Sequence, residues 1–172
     1  GGDGLMEVWE LYDGEGNPTG RRICRGEPIP AGYRYLAAEV WITDGAGRLL
    51  IQRRSLAKKA FPGRWGMTTG CMVAGEGSRQ GAAREVAEEL GIAVEPRELE
   101  FWRRFVRKEA IWDVYRLCRP AALESLRLQR EEVLQADWET PAQIRERAAK
   151  GEMVEYPEFL ALLAQAEKEW LP

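Results

Sequence analysis

The spacing of hydrophobic and polar positions changes several times along the chain, and each change predicts an element. Leu5 to Tyr12 has a strand pattern. Asp13 to Gly20, rich in Gly, Asn and Pro, predicts a turn from which Arg21 to Arg25 returns antiparallel. Gly26 to Gly32, with Pro28 and Pro30, predicts a loop. Two extended runs, Tyr35 to Thr43 and Arg48 to Arg54, flank Asp44-Gly45-Ala46-Gly47, which predicts a hairpin. Ser55 to Arg64 is a polar, basic connection ending in Phe61-Pro62-Gly63, and Trp65 to Val73 is extended again. The period then lengthens to that of a helix. Ser78 is expected to cap a helix that runs to Leu90 and stops at Gly91. Strand patterns return at Leu99 to Val106, Ile111 to Leu117 and Val133 to Trp138. Thr140-Pro141-Ala142-Gln143 predicts a capping-box start for a helix that Gly151 ends. Pro157 to Trp170 predicts a closing helix with Phe159, Leu160, Leu163 and Ala164 on one face. Helices interleaved with strands and hairpins predict an α/β (α+β) fold, a mixed β-sheet sandwiched between α-helices.

Composition narrows this picture. At 172 residues, 45% hydrophobic and 31% charged, the chain is expected to be one domain over 1–172 with a substantial core. Gly1 to Gly4 has too little side chain to fold and is read as a disordered or vector-derived extension. No apolar run approaches the roughly 18 residues of a spanning helix, and no leader pattern opens the chain, so a cytoplasmic protein with no membrane partner is expected. A net charge of −3 argues against a stable nucleic-acid partner. Cys24, Cys71 and Cys118 are odd in number and far apart, which predicts free thiols in a reducing compartment. Histidine is absent altogether, which removes imidazole acid–base chemistry, His-based triads and histidine zinc sites. Catalysis must rest on carboxylates, thiols, Tyr, Lys or Arg.

The chemistry concentrates on the helix expected from Ser78. Glu85, Glu88 and Glu89 stand at i, i+3 and i+4 and share one face, with Ala83, Val86, Ala87 and Leu90 on the other. Like charges one turn apart repel in water, and a hard divalent cation such as Mg²⁺ or Mn²⁺ reverses the sign of that interaction. From Gly70 the chain runs five residues to Glu76, seven more to Arg84-Glu85-Val86, then Ala87, Glu88-Glu89, Leu90 and Gly91-Ile92. This is Gly-x5-Glu-x7-Arg-Glu-U-x-Glu-Glu-x-Gly-U, where U is aliphatic, and the chain thereby resembles the Nudix hydrolases with no departure at a fixed position.

The resemblance implies a Nudix fold and hydrolysis of a diphosphate linked to another group, in a nucleoside diphosphate-linked or related metabolite. By the family's pattern Glu85, Glu88 and Glu89 are the metal ligands, Glu76 pairs with Arg84, and Gly70 and Gly91 relieve crowding at the two ends. Glu88, Glu89 or a glutamate of a later loop would be the general base. Glu132 lies six residues before Trp138, similar to a Glu-x5-Trp pattern of many members, and Glu131 is adjacent. Arg53, Arg54 and Arg64 would supply cations to the substrate's phosphates, with Arg54 favoured over Lys58 and Lys59, while Trp65 is read as a packing aromatic. Many relatives form homodimers through N-terminal strands.

Trp9-Glu10-Leu11-Tyr12-Asp13, Asn17-Pro18-Thr19-Gly20, Arg25-Gly26-Glu27 and Gln52-Arg53-Arg54-Ser55 resemble the branch named for isopentenyl diphosphate isomerase. That isomerase uses a catalytic cysteine and histidine ligands. Thr69 stands at the position of that cysteine and Cys71 at that of a histidine, and a threonine hydroxyl is far too weak an acid to replace a thiol. Isomerisation is therefore the alternative, and a non-catalytic nucleotide-binding sensor is a second. The intact glutamates argue against the latter.

Overall fold

The computed structural model describes residues 7–172. The expected unfolded segment Gly1 to Gly4, and the Leu5 and Met6 part of the first expected strand, lie outside the described residues. The architecture is α+β, with a mixed sheet and three helices. In chain order the elements are β1 (Val8–Tyr12), β2 (Pro18–Cys24), β3 (Tyr35–Thr43), β4 (Leu49–Arg54), β5 (Trp65–Gly66), β6 (Thr68–Cys71), α1 (Ser78–Leu90), β7 (Glu100–Val106), β8 (Ala110–Cys118), β9 (Val133–Glu139), α2 (Pro141–Ala149) and α3 (Phe159–Glu169).

Two compact units divide these elements, and β3, β6, α1 and β8 run through both. The first takes the chain up to Val40, Thr69–Glu88 and Ile92–Arg116. In it β1 and β2 form an antiparallel hairpin, β8 lies between β7 and β3, and β6 also pairs with β3. Its core gathers Leu36, Ala37 and Ala38 of β3, Ala82, Ala83 and Val86 of α1, and Ile111 and Val114 of β8, all buried. The second unit takes Trp41–Thr68, Glu89–Gly91 and Leu117–Pro172. There β4 pairs antiparallel with the end of β3, with β5 and with β9. Trp41 anchors this core, with its ring 5.6 Å from Phe159 and 6.3 Å from Trp170. Among the described residues no helix is long and apolar enough to cross a membrane.

Three details differ from the sequence expectation. The turn after β1 closes by Asn17 because the Asp13 carboxylate accepts from the backbone N–H of Glu15 and Asn17, both at 2.9 Å, so Pro18 already faces Tyr12 across the hairpin. The extended run from Trp65 breaks at Met67 into β5 and β6. Ser78 does not cap α1: the carbonyl of Gly77 accepts the first helical bond from Gly81 N–H at 3.0 Å. The Ser78 hydroxyl is taken by Asp113 Oδ2 at 2.6 Å and Tyr115 Oη at 2.7 Å on β8. The α2 start is as expected, with Thr140 Oγ1 accepting from Gln143 N–H at 3.2 Å and Pro141 at the first position.

Candidate functional site

The loop from β6 and the body of α1 are organised by one guanidinium. Arg84 donates in fork geometry to Glu76, Nε to Oε2 at 2.7 Å and Nη2 to Oε1 at 2.8 Å. Its Nη1 donates to Glu85 Oε1 at 2.8 Å and to Glu88 Oε2 at 3.2 Å. Hydrogen bonding to Glu76, reinforced by the charges of Glu85 and Glu88, raises the Arg84 pKa further and holds it cationic. Glu85 is 1% exposed, and the reason it fits is Gly70. A Cβ on Gly70 would lie 2.3 Å from Glu85 Cδ and 2.7 Å from Oε1. Gly81 is a second such case, unremarked in the sequence pattern. A glycine inside a helix costs about 0.5–1 kcal/mol relative to alanine. Here a Cβ would meet Met72 Sδ at 2.0 Å and Glu76 Oε1 at 2.8 Å, so the bare backbone lets the Glu76 loop lie against α1.

The end of the helix is held differently. Glu89 is 4% exposed, and its Oε1 accepts from Gln52 Nε2 of β4 at 2.6 Å. Gln52 Oε1 in turn accepts from the Thr68 hydroxyl at 2.8 Å, and both residues are buried. Gly91 has φ +71°, and a Cβ there would sit 2.8 Å from Arg127 Cβ, which explains the glycine that stops α1. The next segment docks on the helix end through Arg127 N–H to Leu90 O at 3.0 Å and Gln129 N–H to Glu89 O at 3.1 Å. Neither Gln52 nor Thr68 belongs to the acidic motif from Gly70 to Ile92, and Gln52 enters the sequence pattern only through the branch resemblance. The available signal was a lone amide at the end of the apolar run of β4, since a buried polar side chain is the informative exception in a strand.

The expected cage of three carboxylates is not drawn together in this arrangement. Among the described residues no three Asp, Glu or Cys side chains are gathered to hold an ion. In this arrangement Glu85 and Glu88 bond to Arg84, and Glu89 bonds to Gln52.

The other expected site residues fall in the second unit. Glu132 forms an ion pair with Lys58, and its carbonyl accepts from Ser55 N–H at 2.9 Å. Three arginines brace the loop between β4 and β5: Arg54 Nε donates to Ala60 O and Arg53 Nε to Gly63 O, both at 2.9 Å, and Arg64 Nη1 donates to Met153 O at 3.3 Å. Alternation along β4 turns Arg53 away from the face of Gln52. Arg53 and Arg64 line a cavity of about 560 Å³ with Trp65, Gln135, Arg147 and Glu152. The Arg147 guanidinium lies 4.4 Å over the buried Trp65 ring, and its Nε and Nη2 bond Glu139, so Trp65 is a packing aromatic.

Cys71 sits at the entrance of the motif, half-buried, with its carbonyl accepting from Arg84 Nη2 at 3.4 Å. Burial pushes its thiol up to about 11, so at neutral pH it carries no thiolate. Cys24 and Cys118 are exposed and free.

Comparison with known proteins fits this geometry. A family model described as "NUDIX domain" matches residues 34–162. An uncharacterised Nudix hydrolase of Listeria monocytogenes is 33% identical over 152 residues, covering 88% of this chain and 90% of that protein. An isopentenyl-diphosphate Delta-isomerase of Shigella flexneri is 34% identical over 89 residues, covering 51% of this chain and 49% of the isomerase. Among solved structures, that of DR0079 from Deinococcus radiodurans superposes with a TM-score of 0.75 at 23% identity, covering 92% of this chain and 98% of that one. The NUDIX domain of NrtR from Shewanella oneidensis, solved with ADP ribose, gives 0.60 at 18% identity, covering 78% and 87%. With the motif complete from Gly70 to Ile92, the matched domain spanning most of the chain and a close relative aligned nearly end to end, this chain belongs to the Nudix hydrolase family.

Proposed function

We propose that this protein hydrolyses a diphosphate linkage in a nucleoside diphosphate-linked or related metabolite, with Mg²⁺ or Mn²⁺ as cofactor. The observation that carries this reading is the pair Glu85 and Glu89. They are carboxylates one helical turn apart, and both are buried. Two like charges so placed repel, and burial adds a desolvation cost to each. A hard cation with oxygen preference offsets both, so the donor chemistry suits Mg²⁺ or Mn²⁺. Gly70 supports the same reading, because it leaves the space in which Glu85 lies.

Glu85, Glu88 and Glu89 would hold the cation, which when bound neutralises phosphate oxygens and acidifies the attacking water. Arg84 would give up Glu85 and Glu88 to it while keeping Glu76, so the loop stays tied to the helix. Glu88, Glu89 and Glu132 are the candidate bases that would take the proton from water. Lys58 beside Glu132 would have to release it before Glu132 acted so. Arg54 is the arginine proposed for the phosphates, and Arg53 and Arg64 would meet substrate only where it reaches their cavity. The three free cysteines fit a reducing, cytoplasmic setting.

Isomerisation finds no support at the corresponding residues. Thr69 offers no thiol and Cys71 is a protonated one. The test is a panel of nucleoside di- and triphosphates, a nucleotide sugar, ADP-ribose, a dinucleoside polyphosphate and a prenyl diphosphate, assayed for cleavage with and without Mg²⁺. Mg²⁺-dependent release of a phosphorylated product from at least one compound is expected. Rearrangement of the prenyl diphosphate without phosphate release would overturn the reading.

A further inference from the structure

We infer that Gln52 and Thr68 are positioning residues that set the orientation of Glu89 toward the divalent cation, an inference that rests on the metal reading above. All three side chains are buried and lie within the second unit. They form a directed chain: Thr68 Oγ1–H to Gln52 Oε1 at 2.8 Å, then Gln52 Nε2–H to Glu89 Oε1 at 2.6 Å. The direction matters because the two ends of an amide have nearly the same shape but opposite hydrogen-bonding character. A hydroxyl donating to Oε1 leaves the N–H end as the one that faces the carboxylate. Turned over, the amide would set an oxygen lone pair against Glu89, which is repulsive.

The choice of an amide is chemically specific. A guanidinium or ammonium at position 52 would neutralise Glu89, as Arg84 does for Glu85 and Glu88. An amide holds the carboxylate through Oε1 and brings no positive charge of its own to it. Outer partners of this kind typically change metal affinity or activity by about 10- to 100-fold when removed. Their supports are firm: Gln52 pairs across β4 with Gly66 of β5 and Ala136 of β9, and Thr68 opens β6.

The test compares Thr68→Val, Thr68→Ser and Gln52→Leu with the wild type. Mn²⁺ binding is read by loss of the free-ion EPR signal, and kcat and KM are measured on the substrate found in the panel. Thr68→Val keeps the side-chain shape and removes the donor. It is expected to weaken Mn²⁺ binding by about 10-fold and lower kcat with KM little changed, and Gln52→Leu should do at least as much. Thr68→Ser restores the hydroxyl and should recover most of both. A side-chain amide NMR resonance of Gln52 in the metal-free protein should shift in Thr68→Val and return in Thr68→Ser. Folded Thr68→Val and Gln52→Leu proteins with Mn²⁺ affinity and kcat within twofold of wild type would overturn the inference while leaving the metal reading intact. A wild type that binds no Mn²⁺ would overturn both. Should Gln52→Leu fail to fold, the Thr68 pair and the NMR signal decide alone.

Discussion

The two ends of the acidic helix face hold their carboxylates by opposite means. Toward the middle of α1, Arg84 collects Glu76, Glu85 and Glu88 around one positive charge. At the end, Glu89 is held by a neutral amide whose own orientation is fixed by a hydroxyl. The first arrangement stabilises the metal-free protein by compensating charge. The second fixes geometry through a neutral donor. On the proposed function, a cation entering this face would have to displace Arg84 from Glu85 and Glu88 and would meet Glu89 already bonded to Gln52.

The sharpest way to break this comparison is to remove the oriented charge. Glu89→Gln is expected to lower kcat by roughly a hundredfold or more, since several kcal/mol of transition-state stabilisation would depend on the cation that Glu89 is proposed to hold. Circular dichroism melts should show the fold retained. A melted protein with unchanged turnover per folded molecule would move Glu89 to the scaffold. Next in size is Gly70→Ala. The new methyl would sit 2.3 Å from Glu85 Cδ, so the carboxylate or β6 must shift, at a cost of about 1–3 kcal/mol in stability and with reduced activity. An unchanged melting temperature and rate would contradict the cradle.

Removing the competitor sharpens the contrast from the other side. Arg84→Met should destabilise the metal-free protein by about 2–4 kcal/mol, because buried Glu85 loses its counter-charge. Mg²⁺ should then raise the melting temperature more in the variant than in wild type. An equal or smaller rise would show that Arg84 does not compete with the cation. The smallest effect concerns Cys71. Its raised pKa means that the thiol stays protonated from neutral pH upward and ionises only as pH passes through about 11. Alkylation followed by mass spectrometry at pH 8 should label Cys24 and Cys118 first. Cys71 labelled first would refute the burial argument.

Legibility in the sequence divides along the same line as the chemistry. The strand periods, the capping box at Thr140 and the motif from Gly70 to Ile92 are local patterns, readable because each rests on neighbours a few residues apart. The face expected for the closing helix, by contrast, is shifted: α3 buries Phe159, Leu162, Leu163 and Ala166 and leaves Leu160 and Ala164 exposed. The family pattern marks Gly70 and Gly91, but it does not say what a Cβ there would meet, which in the fold is Glu85 and Arg127. What could not be read was partnership at a distance. Ser78 has the composition of a cap, but Asp113 and Tyr115, 35 and 37 residues on, take its hydroxyl. Lys58 and Glu132 are 74 residues apart and each looked like a solvated charge or a substrate ligand until paired. Gln52 and Thr68 match no part of the acidic motif, and their link to Glu89 depends on β4, β6 and α1 meeting in three dimensions. Arg53 and Arg54 show the same limit, since adjacent strand residues look equivalent in a basic run and face different surroundings.

The central claim is that the carboxylates of α1 gather a divalent cation at Arg84's expense. Crystals grown with Mn²⁺ and read by anomalous scattering test it most directly. A manganese peak is expected in ligand contact with Glu85 and Glu89, with the Arg84 guanidinium withdrawn from Glu85 but still paired with Glu76. A map with no peak at this face, and Arg84 still bonded to Glu85 and Glu88 in saturating Mn²⁺, would contradict it.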